Sequence, residues 1–362
     1  PFAYSQKWFR HRTALLVKVM TDEGVTGWGE CFSHDAGPAL AAMIEQVYKP
    51  LLLGKDALAR EEIWEHLYNW TRDYGQKGST VVAQSGIDIA LWDILGKATG
   101  LPIYRLLGGP FRDRVEAYAT GMYLTEEALD DPSVLAKEAA SYVEQGFGAV
   151  KMKVGFGLQR DVRFVEAVRH AIGDRVGLMI DANHAYDSAT AIALGRAVQP
   201  YNIAWFEEPV VPEDVEGYRA VRQALDIPIA GGEAEFTRHG FRRLICDGAV
   251  DILQPDLCVA GGISEGRKIA ALASAWHTRC LPHVWGTGIA LATALHFIAA
   301  LPEQPPALNS ASLLLELDRT ENPLRDHLLA TPIQMEGSFA LVPQGPGLGV
   351  EVDEGELERY GQ

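Results

Sequence analysis

Cysteine is scarce in this chain: four in 362 residues, at Cys31, Cys246, Cys258 and Cys280, with no CxxC pair. That scatter excludes a disulfide frame or a cysteine zinc site and fits reduced, mostly buried thiols in a cytoplasmic protein. Positive charge is short too, with 32 Lys and Arg against 48 Asp and Glu and a formal net charge of -16. Such a surface argues against nucleic acid or an anionic membrane as partner, since both demand basic patches. A small anionic substrate stays open, because a bound cation can reverse the local field. No apolar run approaches the ~20 residues of a membrane-spanning helix. The opening PFAYSQKWFRHR interleaves aromatic and charged residues, which does not make a signal peptide. It begins at Pro1 rather than a methionine, so an earlier segment is expected. HxH and HExxH are missing, and GGISEG at 261–266 fits neither GxGxxG nor a P-loop; a tight turn into a helix is the better reading.

What is present is ordinary in bulk, 48% hydrophobic and 22% charged, and long enough for a (β/α) barrel of roughly 200–250 residues plus a second domain. Residues 13–20 and 25–31 read as strands joined by the turn Thr21-Asp22-Glu23-Gly24. Helical spacing follows over 38–53, 57–74 and 79–99, stopped by Gly100 and Pro102. The stretch GGPFRDR at 108–114 marks a boundary. The expected division is an α+β capping domain over 1–112, a barrel over 113–318, and a tail over 319–362 that returns to pack on the cap. In the barrel a first strand at 115–120 precedes helices at 134–145, 159–172, 188–198, 215–225, 234–247, 264–275 and 287–300. A strand ending in Glu316 completes eight, with parallel order implied.

Seven charged or polar clusters recur about every 25 residues, each at the end of an apolar run, as in a (β/α) barrel. They are Lys151/Lys153 in AVKMKV, Asp181/Asn183 in GLMIDAN, Glu207/Glu208 in IAWFEEP, Glu233 in IPIAGGE, Asp256 in VDILQPD, His283 in RCLPH and Glu316 in SLLLE. All lie at the same end of their strands, so one mouth gathers them. Asp181, Glu207 and Glu233 follow one another at intervals of 26 residues, and three close carboxylates would raise one another's pKa unless a cation neutralised them. All-oxygen ligation suits Mg²⁺. Adjacent strand residues face opposite ways, so only one of Glu207 and Glu208 points inward, and spacing does not choose between them.

Lys151 and Lys153, two apart on a strand, share a face. Mutual repulsion and a nearby metal are expected to lower an ammonium pKa towards neutral, making Lys153 a base. His283 is distinguished from the other nine histidines by Asp256 at the preceding strand end, a pairing that fixes the tautomer and raises imidazole basicity. The mouth reads as a proton-transfer site.

Lys-x-Lys, three acids on successive strands and an Asp…His pair resemble the mandelate racemase subgroup of the enolase superfamily. The likeness runs from TGWGE (26–30) and SGIDIALWDILGK (85–97) to GPGLG (345–349). It implies a modified (β/α)8 barrel with an α+β cap, Mg²⁺ on Asp181, Glu207 and Glu233, and Lys153 and the Asp256–His283 dyad as opposed bases. It further implies Lys151 beside the developing charge and Glu316 near the substrate carboxylate. Within the subgroup, AYATG (117–121), KVGFG (153–157), WFEEPVVPE (205–213), VDILQPDLC (250–258), PHVWGTG (282–288) and LDRTENP (317–323) look most like lactone-opening cycloisomerases. They are also similar to sugar-acid dehydratases. The expectation is proton abstraction α to a carboxylate, then β-elimination from a hexaric acid lactone. Water loss is the alternative, followed by racemisation or epimerisation and, remotely, a silent metal-binding barrel. Asn183, Tyr4, Gln76, Lys77 and Trp285 are the expected substrate contacts, and a cytoplasmic homo-oligomer the expected form. The resemblance departs at the front, where a family strand is missing before Pro1.

Overall fold

The computed structural model describes residues 1–308 and 311–361. Its first element answers to no expected strand: β1 (Phe2–Tyr4) and β2 (Lys7–Phe9) form an antiparallel hairpin. Ala3 also exchanges backbone hydrogen bonds with Leu124, which ties the hairpin to the barrel. The expected hairpin follows as β3 (Leu15–Met20) and β4 (Thr26–Cys31). It lies flat on the helix Ser79–Thr99 because the TGWGE glycines leave no side chain between them. A Cβ on Gly29 would stand 1.9 Å from the Gly86 carbonyl oxygen.

The helix expected over 38–53 is three joined pieces, α-helical at Gly37–Met43, π-helical at Ile44–Tyr48 and α-helical again at Lys49–Leu52. Pro50 has no N–H and its ring crowds the carbonyl a turn earlier, and a wider local turn accommodates both defects. Helix Arg60–Thr71 completes this part. Val17, Cys31, Leu40, Tyr48, Ile63 and Leu67 help fill a core of its own.

Eight parallel strands then follow: β5 (Arg114–Gly121), β6 (Ala149–Lys153), β7 (Gly177–Asp181), β8 (Ile203–Glu207), β9 (Ile229–Gly231), β10 (Ile252–Leu253), β11 (Arg279–Cys280) and β12 (Leu315–Asp318). Ladder pairing runs in chain order from β5 to β11, and β12 pairs with the free side of β5. Between β11 and β12 the described residues show no ladder; there the Val284 N–H donates to the Glu316 side chain at 3.2 Å. Hydrophobic runs such as AVKMK and GLMID are buried on both faces, as parallel strands under helices must be. In the tail, β13 (Met335–Glu336) pairs with β14 (Phe339–Leu341), which in turn pairs antiparallel with β5. Leu348 donates its N–H to Asp93 of the long helix, so the tail touches barrel and cap alike. Cys31, Cys258 and Cys280 are buried and Cys246 exposed, all as free thiols. Among the described residues no helix is long and apolar enough to cross a membrane.

Candidate active site

Register builds the centre of the mouth. Lys153 pairs across the ladder with Asp181, and Asp181 with Glu207, so the three form one row over β6, β7 and β8. Glu233 stands two residues beyond the end of β9, reached through Gly232 at φ +122°. One carboxylate oxygen from each of Asp181, Glu207 and Glu233 lies within 4.8 Å of the others. Glu208, one residue past the end of β8 with φ +43°, pairs with His184 at 3.1 Å.

Each charged group is held by its neighbours. Lys151 is fully buried, 2.5 Å from Glu207 and 2.7 Å from Glu316. Glu207 also accepts from Trp205 Nε1 at 2.9 Å and Gln254 Nε2 at 2.7 Å. Lys153 donates to Asp181. Asn183 donates its backbone N–H to Asp181 at 2.8 Å and its amide to Glu233 at 3.3 Å. Asp256 accepts from His283 Nδ1 at 2.7 Å, which turns Nε2 to within 3.6 Å of Glu233. Lys153 and His283 line the same cavity. In the strand order β5 and β12 separate them on one side, β7 to β10 on the other.

The electrostatics differ from expectation at the lysines. Burial is the largest single influence and opposes their charge, but the surrounding anionic groups together, led by Asp181 at Lys153 and by Glu207 and Glu316 at Lys151, raise both pKa values. The expected lowering assumed carboxylates already neutralised; bare ones pull the other way. His283 follows the same pattern: burial lowers it, but Glu233, Glu316 and Asp256 push it up to about 10. Glu233 is raised well above the ordinary carboxylate range by burial, then by Glu208, Asp181 and Glu207. Its buried Oε2 accepts no hydrogen bond among the described residues. Three converging oxygen donors, one of them unpartnered, fit a hard divalent cation.

Aromatic rings roof the cavity. Phe9 lies 5.3 Å and His34 5.1 Å from Trp285, whose Nε1 donates to the Tyr123 hydroxyl at 3.0 Å. Burial, then Lys7, lowers His34 to about 4, so the roof is uncharged at neutral pH. Arg12 stacks over Trp285 at 4.0 Å while paired with Asp318 at 2.7 Å. Tyr4, Asn183 and Trp285 line the cavity; Gln76 and Lys77 do not. The exposed Lys77 pairs with Glu235 instead, at 2.5 Å. Phe9, Phe32, His34 and Tyr123 are lining residues that the sequence reading missed; for Phe9 the aromatic density of the first nine residues was the available signal. The stretch 262–266 also spells GxSxG, but Ser264 is buried and accepts from Trp92.

Residues 1–108 match the family model described as mandelate racemase / muconate lactonizing enzyme, N-terminal domain, and 134–356 that described as enolase C-terminal domain-like. Over 361 residues the chain is 46% identical to D-galactarolactone cycloisomerase of Agrobacterium fabrum, covering 99% of this chain and 94% of that protein. It is 36% identical to arabinonate dehydratase of Saccharolobus solfataricus, covering 96% and 90%. The crystal structure of 3,6-anhydro-D-galactonate cycloisomerase from Zobellia galactanivorans superposes with a TM-score of 0.89 at 44% identity, covering 99% of this chain and 97% of that one.

Proposed function

Because the chain belongs to the mandelate racemase and muconate lactonizing enzyme family of the enolase superfamily, we propose that it opens a sugar-acid lactone by α-proton abstraction and β-elimination. The observation that carries this reading is the placing of Lys153 and the Asp256-backed His283 in one cavity, on either side of a carboxylate triad. Asp181, Glu207 and Glu233 would hold Mg²⁺, which when bound stabilises negative charge on a substrate carboxylate. Lys151, fixed as an ammonium by Glu207 and Glu316, opposes that developing charge from the chain's side.

One base takes the α-proton. The electron pair forms the α–β double bond as the bond from β-carbon to ring oxygen breaks, and the opposite acid delivers a proton. Tautomerisation of the resulting enol gives a 3-deoxy-2-keto acid of unchanged mass. A ring substrate suits the uncharged aromatic roof, against which its C–H face packs, and the 46% identity to a galactarolactone cycloisomerase points the same way. The second reading is a dehydratase on open-chain acids, favoured by the 36% identity to an arabinonate dehydratase.

Our division into a cap over 1–112, a barrel over 113–318 and a tail over 319–362 is supported by β5 beginning at Arg114 and β12 ending at Asp318. Cytoplasmic residence draws support from the exposed free thiol of Cys246. A homo-oligomer draws support from the exposed rings of Trp70, Tyr74 and Trp276.

The test incubates the enzyme and Mg²⁺ with hexaric acid lactones and open-chain sugar acids and weighs the keto-acid products. A product isobaric with a lactone is the expected result. A product lighter by one water, formed only from open-chain acids, establishes the dehydratase instead.

A further inference from the structure

The helices around the mouth are not capped alike. Those following the metal-side strands β7 and β8 are capped from within: Asp187 accepts from Thr190 and Asp214 from Gly217. The two following β10 and β11, whose loops carry Asp256 and His283, are also held at their starts by the N-terminal domain. Helix Gly262–Ala275 begins at Gly261, which has no side chain to cap it. Its amides are met from outside, Gly261 N–H by Ser85 Oγ and Ser264 N–H by Asp88 Oδ2, both at 2.9 Å. Trp64 Nε1 donates to the Gly261 carbonyl at 2.7 Å, and Phe32 N–H to the Cys258 carbonyl at 3.2 Å. Cys258 in turn donates its N–H to Asp256 Oδ1 at 2.7 Å.

Helix Gly288–Ala299 has a cap of its own, Thr287 Oγ1 accepting from Ile289 N–H at 3.1 Å, and the N-terminal domain holds that cap in turn. Glu30, buried at the end of β4, accepts from Thr287 Oγ1 at 2.6 Å, Thr287 N–H at 2.9 Å and Ala290 N–H at 3.0 Å. A Cβ at Gly286 would meet Glu30 Oε1 at 2.6 Å, so this glycine lets the carboxylate close on the helix start. The segment so pinned runs directly back through Trp285 to His283.

We propose that the N-terminal domain is the positioning element of the acid–base dyad, with Glu30 and Asp88 fixing through two helix caps where His283 and Asp256 stand. The geometric part needs nothing beyond these contacts; its effect on rate rests on the reaction proposed above. An imidazole displaced by about 1 Å loses on the order of 100-fold in rate, while Asp181 and Glu207, on strands that lead into self-capped helices, keep their place.

The experiment compares wild type with Glu30→Ala, Glu30→Gln and Ser85→Ala by amide hydrogen exchange, and by kcat, KM and Mg²⁺ affinity. In Glu30→Ala, exchange over 281–290 should accelerate roughly tenfold, the scale of a lost N-cap, with β6 to β8 unchanged. Its kcat should fall about 10–100-fold at unaltered KM and Mg²⁺ affinity, with partial recovery in Glu30→Gln. Ser85→Ala should loosen 256–264 alone and serves if Glu30→Ala does not fold. Acceleration spread evenly over the barrel, or local loosening with kcat unchanged, would overturn the proposal. Exchange needs no turnover, so a wild type that opens no lactone would sink only the reaction and leave the positioning decided by exchange.

Discussion

Glu233, through burial and then its neighbours, and Lys153, through its neighbours against burial, are driven in the same direction. Each carboxylate makes its neighbours harder to ionise and each ammonium harder to discharge, so both groups hold their protons more tightly than in water. A divalent cation on the triad would offset the part of both shifts that comes from the neighbouring carboxylates. Glu233→Gln, which deletes one ligand charge, should therefore weaken Mg²⁺ binding on the order of 100-fold or more, since even outer partners of ligands matter 10–100-fold. Calorimetric titration checks this, and undiminished turnover after exhaustive chelation would dispose of the metal assignment altogether. Lys153→Ala and His283→Asn should each lower kcat by roughly 10²–10⁴-fold. In deuterated solvent, either variant can retain α-proton exchange through the remaining base; normal turnover in both would remove these residues from the mechanism. The inward groups were legible in sequence because strand ends repeat at fixed period. Spacing left the choice between Glu207 and Glu208 open, since a strand's alternation is known before its phase is, and only the family resemblance pointed to Glu207. The sign of the lysine shifts was not legible, since it depends on whether the triad is bare.

Caps and turns decide much at the level of single elements. Glu30 and Asp88 are acids buried among helix amides, and burial pushes each up to about 7, from 4.5 and 3.8. A raised carboxyl lends its full stability below the unfolded value and loses it as pH climbs through the folded one. The Tm of wild type should therefore drop relative to Glu30→Gln between pH 4.5 and 7, read by thermal scans of both proteins across that window. Parallel curves would show that Glu30 carries its charge without penalty. The helix Ser79–Thr99 was readable to the residue because Gly100 and Pro102 stop it. Hairpin β1–β2 was missed because its strands are three residues each and its alternation of aromatic and charged side chains looks like a loop. The π-turn at Ile44–Tyr48 was hidden for a different reason: hydrophobic spacing reports a helix face, not the hydrogen-bond register beneath it.

Taken whole, the molecule divides its labour unevenly. The barrel was legible from one repeated unit, whereas the roof draws Tyr4, Phe9, Phe32, Tyr123 and Trp285 from separate segments that share no period. On the proposed reading the roof sets substrate preference, so shaving it should change selectivity before it changes chemistry. Phe9→Ala should raise KM for a cyclic substrate with little effect on kcat, a split that steady-state kinetics on lactones would display; a fall in kcat alone would count against ring packing there. The pairing of β5 with β12 has a consequence for biosynthesis. The barrel's first strand receives that neighbour only when its last strand has been made. About 200 residues separate them, and at ~5–20 residues per second the nascent chain carries one open strand edge for on the order of 10–40 s. Such an edge invites pairing with another copy, so ribosome-bound or prematurely terminated chains are the form of this protein most exposed to aggregation.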